Sequence, residues 1–504
     1  MVNAKTARII VILAALTISS SPCMAEDAAA APKAEQNNID TPAVAADAAE
    51  VEEDADQLDE AAEDAAPQEE AEQTAIQPEK TSKGLTEEWI QKTKHPVSWL
   101  KWGADLRARE EYLTNPQYNE ADEDKHHQRY RFRVWADVMP TEYFSFGTRA
   151  MYVLRNFIDP KASREWESGE VMFDNLYATL EPKDSNWRLR IGRQELLDMG
   201  QNWIVQDGTT RDGSRTTFFD GARFTWKFPD EENTLEAVYL YQCAKSDAWL
   251  PPIDMQKSRQ YLAEDDIQGG MLLLRNKHFE NTTLDGLVIY KHEYPGDLAS
   301  SIYGDSVTMQ PQVTVKWNDN WSMVARAALQ VGKRNDRNFL AYGGDAKVTY
   351  SFQDVVNSKL WVGFEYLSGD KGGNGTDNGF DPLWGRYPRI SEIMAYTRVD
   401  SGRACDYTNM YSPYIGYSME PWENVRFAGT YRPMFAPENP MGGDLVHSAN
   451  SSFKGHLIYG IAEYSFTKHI KTHAVIESII PGNFYTPDYR ATALFIRGQV
   501  FLTW

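Results

Sequence analysis

Arginine stands at every second position of RYRFRVWADV, residues 129–138: Arg129, Arg131 and Arg133 alternate with Tyr130, Phe132 and Val134. A guanidinium is planar, permanently charged, and grips a carboxylate through two parallel hydrogen bonds. Arginines on one face are therefore suited to recognising carboxylates. The spacing of two selects the element, because successive side chains of a strand point to opposite faces. This predicts a strand with Arg129, Arg131, Arg133 and Asp137 on a wet face, and Tyr130, Phe132, Val134 and Val138 on an apolar one. The pattern recurs. WGADLRAREEY puts Asp105, Arg107, Arg109 and Glu111 on one face, and WRLRIG adds Arg188 and Arg190. FDGARFTWKF sets Arg223 and Lys227 against Ala222, Phe224, Trp226 and Phe228. VRFAGTYRP gives Arg426 and Arg432, and ATALFIRGQVFLTW gives Arg497 and Gln499 opposite Ile496, Val500, Leu502 and Trp504. Arg193 shares its phase with Leu189 and Ile191, so it is expected at a strand end, turned inward by a bulge or loop.

From Trp102 onward, alternating segments of about ten residues are separated by breaks, as in a membrane β-barrel. Short breaks such as MPTEY (139–143), NDN (318–320) and TKH (467–469) alternate with long ones near 113–127, 156–170, 197–218, 243–267, 293–306, 332–341, 370–407, 435–454 and 481–489. Eight short turns join eight strand pairs, and the first and last strands are left to close on each other. The prediction is all-β: a closed antiparallel transmembrane barrel of about eighteen strands, with short periplasmic turns and long extracellular loops. RISEIMAYT (389–397) has β character but would spoil the parity, so it is placed within a loop. A bilayer accepts only a closed barrel if the chain crosses as strands. The apolar phases then meet outer-membrane lipid, and the arginines meet the lumen. A charge on the lipid face costs about 2–4 kcal/mol near the midplane, which makes the segregation informative. A ring of inward arginines is an anion-selective device.

The ends differ in kind. Residues 1–25 read as a secretory signal peptide, with Lys5 and Arg8 before an apolar run and cleavage after Ala25. Residues 26–80 hold eighteen acids and two lysines, most of the chain's formal −22 charge, and are expected to be a disordered periplasmic tail. Residues 81–504 form the barrel. Cys243 and Cys405 fit no metal spacing, and their pairing is left open. DKGGNGTDNGFD (370–381) places Asp370, Asn374, Thr376, Asn378 and Asp381 roughly as in a calcium loop, so structural calcium is one reading and a plain glycine-rich loop the other. No other cofactor is implied. His126 and His127 are expected in an outer loop, as surface residues. No nucleophile–base–oxyanion set stands out, so no enzyme is predicted. The terminal Trp504 suits recognition by the barrel-insertion machinery. A monomer without a nucleic-acid partner is expected. A structural barrel tethered through the acidic tail, or an outer-membrane enzyme, is the alternative to a channel.

Two stretches carry a resemblance. LRIGRQELLDMGQNWIVQDGTTRDGSRTTFFDGARFTW (189–226) and FEYLSGDKGGNGTDNGFDPLWGRYP (364–388) resemble the alginate export family of outer-membrane porins. The first has a Gly-Arg-Gln strand end and a Phe-Asp-Gly-Ala-Arg strand start; the second has a Ser-Gly-Asp loop and Phe-Asp-Pro-Leu. The similarity covers residues 97–504. It implies an eighteen-stranded barrel that passes anionic polysaccharide or related solutes through an arginine-lined pore. Alginate exporters of that family use a long periplasmic loop as a plug. Only short turns lie on that side here, so diffusion of smaller anionic solutes, uronate-type oligosaccharides among them, is as well supported as polymer export.

Overall fold

The computed structural model describes residues 87–504 except 161–165, 169–170, 197–198, 200–202, 206–217, 231, 245–249, 254–265, 297–301, 374, 385–389 and 401–406. The signal peptide, the acidic tail, Asn374 and Cys405 therefore lie outside the described residues. Cys243 is disulfide-bonded.

Among the described residues a short helix, α1 (Glu87–Lys94), precedes nineteen strands. They are β1 (Leu100–Thr114), β2 (Lys125–Thr141), β3 (Phe144–Asp159), β4 (Trp166–Ser168), β5 (Met172–Leu180), β6 (Trp187–Gln194), β7 (Phe219–Lys227), β8 (Asn233–Gln242), β9 (Ile267–Asn276) and β10 (Thr282–Glu293). There follow β11 (Gly304–Lys316), β12 (Trp321–Arg334), β13 (Arg337–Ser351), β14 (Lys359–Leu367), β15 (Met410–Trp422), β16 (Val425–Phe435), β17 (Phe453–Thr467), β18 (Ile470–Pro481) and β19 (Ala493–Thr503). Among the described residues, consecutive strands pair antiparallel, except that β5 pairs with β3 instead of β4. The short β4 pairs only with the end of β3, so eighteen strands make the wall. β19 closes against β1, from Asp105↔Thr503 to Thr114↔Leu494, and leaves no free edge. No described helix is long and apolar enough to cross a membrane.

The alternation of residue types fixes the faces. Along β2, Arg129, Arg131 and Arg133 are buried, whereas Phe132 and Val134 stand 46% and 38% exposed on the outside. Exposed aromatics, including Tyr143, Phe279, Trp317, Trp321 and Trp422, ring the periplasmic-turn side as an interfacial girdle. At the opposite rim of β1 the outward Glu110 is bonded to His126 and Gln128, one position inside Tyr112.

Two expectations are corrected, and the loop placement of residues 389–397 holds. The break near 332–341 is a two-residue turn between β12 and β13. Asn335 and Asp336 have φ of 47° and 64°, the paired left-handed conformation of a tight hairpin. Residues 389–397 hold no described strand; a single 3₁₀ turn, Ile393–Ala395, lies there instead, inside a loop as expected. A carboxylate of the barrel wall, Glu477, captures the Glu392 and Ile393 backbone N–H groups. His126 and His127 are not in a loop. Both lie on β2, facing opposite ways, with His127 Nε2 2.9 Å from Glu111.

Candidate functional site

The inward faces of β1, β2, β3 and β19 form one patch. Register sets Arg107 opposite Arg131, Arg109 opposite Arg129, Asp105 opposite Arg133, and Glu111 opposite both His127 and Arg497. On β3, Arg155 lies opposite Arg129. Like charges held face to face across a ladder repel, and here carboxylates interleave between them. Asp105 takes Arg133 in a fork, with Nε 2.9 and 3.0 Å and Nη2 2.7 Å from its oxygens. Glu111 lies 2.7 Å from Arg497 Nε, 3.2 Å from Arg129 Nε and 3.7 Å from Arg109 Nη1. Arg109 also donates to Gln499. Among the described residues at the level of the inward loop, seven arginines (107, 109, 129, 131, 133, 155 and 497) lie with four carboxylates, Asp105, Glu111, Glu477 and the loop's Glu392, while Arg149 and Asp137 stand further along the same faces toward the periplasmic turns. All seven arginines are buried. The lumen is therefore narrowed at this level.

What narrows it, among the described residues, is the loop between β14 and β15. The Glu477 carboxylate on β18 accepts hydrogen bonds from the Glu392 N–H at 2.6 Å, the Ile393 N–H at 3.3 Å and the Ser391 hydroxyl, capping the 3₁₀ turn. Glu392 takes the Arg497 guanidinium in a fork, at 2.9 and 2.6 Å. Arg129 donates to the Tyr396 hydroxyl at 2.9 Å, and Gln117 of the β1–β2 loop donates to the Tyr396 carbonyl at 2.7 Å. On the far side, Val238, Leu240, Met271, Leu273, Leu287 and Ile289 present a buried apolar inner face on β8–β10. They belong to one cluster with Met199, Trp203, Ile204, Phe380 and Trp384, contributed by two loops that fold inward from the outer side.

The remaining sequence candidates are spread around the barrel. Arg188 and Arg190 lie on β6, with Arg190 4.2 Å over the Tyr177 ring. Arg223, on the neighbouring β7, pairs with Glu236. Arg193 follows Gly192 (φ 125°) at the loop end of β6, forks onto Asp220 at 2.9 and 3.1 Å, and stacks 4.0 Å over Phe218. Arg426 pairs with Glu463 near the periplasmic end, and Arg432 donates to Glu365 at 2.6 Å. Sequence reasoning missed Arg149, held by Asp174 and Glu195, as well as Arg155 and Lys291. Arg149, Met151, Val153 and Arg155 share one phase of β3, so the rule that found Arg129 also finds them.

The calcium reading does not fit the loop geometry. Asp370 is forked onto Arg337 at 2.8 and 3.0 Å, while Asp381 lies 2.8 Å from Lys291 Nζ and 3.4 Å from Arg334. Thr376 is exposed, and Asn378 donates to the Leu340 carbonyl. The carboxylates turn to protein cations, and no described cluster of acidic, His or Cys side chains has metal-site form. Burial raises the pKa of Asp381, but Lys291 and Arg334 outweigh it and hold the group well below the usual carboxylate range.

A closed barrel with a lipid-facing belt, short periplasmic turns and an ion-paired lumen narrowed by inward loops is an outer-membrane porin. Comparison with known structures agrees on the fold. Pseudomonas aeruginosa OpdQ matches with a TM-score of 0.52 at 14% identity, over 80% of this chain and 97% of that chain. Pseudomonas aeruginosa OccK8 (OprE) gives 0.52 at 13% identity, over 81% and 98%. Pseudomonas aeruginosa OpdK with vanillate gives 0.51 at 12% identity, over 80% and 99%. No curated protein sequence matches. The family model described as alginate export matches residues 98–433, and the chain belongs to that family. It is a channel of the outer membrane and not an enzyme.

Proposed function

We propose that this porin passes anionic solutes, with uronate-type oligosaccharides as the substrate class, by diffusion along its arginine patch. The observation that supports this reading is the excess of arginines over carboxylates on β19, β1, β2 and β3, at the level where loops narrow the lumen. Fixed charge acts over about 8 Å at physiological salt, so it discriminates only where the path is narrow. The short periplasmic turns, with no plug-sized segment on that side among the described residues, favour diffusion of small solutes over polymer export. Residues 1–25 act as the signal for export, residues 26–80 hang in the periplasm, and the barrel works as a monomer placed by the insertion machinery.

The test is the reversal potential of purified protein in planar bilayers under a salt gradient. Replacing Arg107, Arg131 and Arg133 together with Gln is expected to lower the anion-to-cation permeability ratio, with little change for neutral sugars. An unchanged reversal potential in a folded triple variant refutes the reading.

A further inference from the structure

We infer that Arg497 is a carboxylate-binding site of the constriction, and that Glu392 on the inward loop is its built-in occupant, which a solute carboxylate must displace. The inference rests on the anion-channel reading and adds to it a specific site and competitor.

The geometry is that of a bound carboxylate ligand. Both Glu392 oxygens accept from the terminal nitrogens of Arg497, Oε1 from Nη1 at 2.9 Å and Oε2 from Nη2 at 2.6 Å. This is the bidentate mode that gives arginine its preference for carboxylates. Glu392 lies 105 residues from Arg497 in sequence. It belongs to a loop, whereas Arg497 belongs to the barrel wall and is fixed on its other edge by Glu111 at 2.7 Å. One partner is therefore rigid and the other is tethered. Both are buried, at 3% and 5% exposure.

Charge explains why the place must be filled. Glu111 is shared by Arg109, Arg129 and Arg497, as well as His127. Withdrawing Glu392 leaves one carboxylate facing three guanidiniums in this group, and a second anion at the fork lowers that excess of positive charge. A uronate carboxylate has the shape and charge of the Glu392 side-chain end, so it fits the same fork. Neutral sugars offer no such group.

The loop's second wall anchor does not involve Arg497. Glu477 caps residues 391–393 through two backbone N–H groups and the Ser391 hydroxyl. Arg129 and Gln117 hold Tyr396. Displacement of Glu392 therefore frees one arginine without detaching the loop. An internal competitor lowers apparent affinity by the fraction of time it occupies the site, and removing it restores that factor.

The experiment measures galacturonate and galactose binding to the full-length protein in detergent micelles by calorimetry. Wild type, E392Q, R497Q and E477Q are compared after each is shown to be folded by heat-modifiable migration. E392Q keeps the loop's cap but loses the fork, and is expected to bind galacturonate about tenfold more tightly than wild type. R497Q is expected to bind it at least as much more weakly, and E477Q, which loosens the loop with Arg497 still in its fork, to change affinity less than E392Q does. Galactose is expected to bind none of them measurably. Equal or weaker galacturonate binding by E392Q overturns the inference. So does an increase in E477Q that matches the one in E392Q, since loop release alone then accounts for it. The reversal potential separates the two levels: if wild type selects anions while E392Q binds no more tightly, the internal-competitor inference fails and the anion-channel reading stands. If wild type shows no anion preference, both fail.

Discussion

Replacing Asp105 with Asn removes the counter-charge of Arg133 without changing its shape. In the native barrel Arg133 donates three hydrogen bonds to the two Asp105 oxygens, at 2.7–3.0 Å. Their side chains are 1% and 8% exposed. Removing one partner of a buried pair costs about 3–5 kcal/mol, because the other charge is left in a low-dielectric site. Asn retains one acceptor oxygen, so the lower end, about 3 kcal/mol, is expected. The same change makes the lumen more positive by one charge. D105N should therefore unfold at lower urea concentration and also shift the reversal potential toward anions. R133Q should lower stability and shift the potential the other way. In the double variant D105N/R133Q no buried charge is orphaned, so its loss should be smaller than the sum of the two single losses. A D105N barrel with native urea midpoint and native reversal potential would refute both the burial of the pair and its place along the permeation path.

The outer loops meet in an ion-paired cluster around Asp400 and His447. Asp400 of the inward loop is held by Lys454, by the Tyr485 hydroxyl at 3.0 Å, and by His447 Nε2 at 3.7 Å; His447 Nδ1 lies 3.0 Å from Asp444, and the Phe484 and Tyr485 rings pack against it. Burial lowers the pKa of His447, but Asp400 and Asp444 outweigh it and hold it above its ordinary value. Burial raises that of Asp400, while Lys454, His447 and Tyr485 hold it well below. The His447 contribution is thus complete below about pH 6.5 and is lost as pH rises through its elevated pKa; that of Asp400 is present above about pH 3.9 and is lost in strong acid. Limited proteolysis of the β14–β15 loop should accelerate between pH 6 and pH 9, roughly the range of histidine deprotonation, and H447Q should abolish that dependence. For the tail, protease added to intact cells should spare residues 26–80 and cut the β14–β15 loop, and deletion of 26–80 should leave heat-modifiable migration intact. Cleavage of the tail from outside overturns its periplasmic placement.

Period-two alternation made the wall legible. It assigned Arg107, Arg109, Arg129, Arg131, Arg133 and Arg497 to the inside, and the alternation of short and long breaks gave the strand number. Alternation says nothing about what happens inside the lumen. Arg497 and Glu392 are 105 residues apart and meet only through a loop fold. The capping of residues 391–393 by Glu477 is likewise non-local. The Asn335–Asp336 turn was hidden because β12 and β13 extend past the usual strand length on the loop side, so their outer ends read as a break.

The sequence also carries a signal of the inward loops. GMLLLR in β9 and GLVIYK in β10 are not alternating; they are nearly continuous apolar runs. A strand with lipid on one side and water on the other alternates, whereas one covered on both faces does not. Leu272 and Leu274 face lipid, and Met271 and Leu273 face the inward loops. Each such fully buried side chain contributes about 1.5–3 kcal/mol. That side of the lumen therefore holds its loops by apolar burial that an ionic solute does not compete for. The opposite side holds the β14–β15 loop partly by carboxylate–guanidinium contacts, which an anionic solute does compete for. The two kinds of contact divide the work: the apolar sector keeps the constriction in place, and the arginine sector is where a passing carboxylate can exchange with one the chain already supplies.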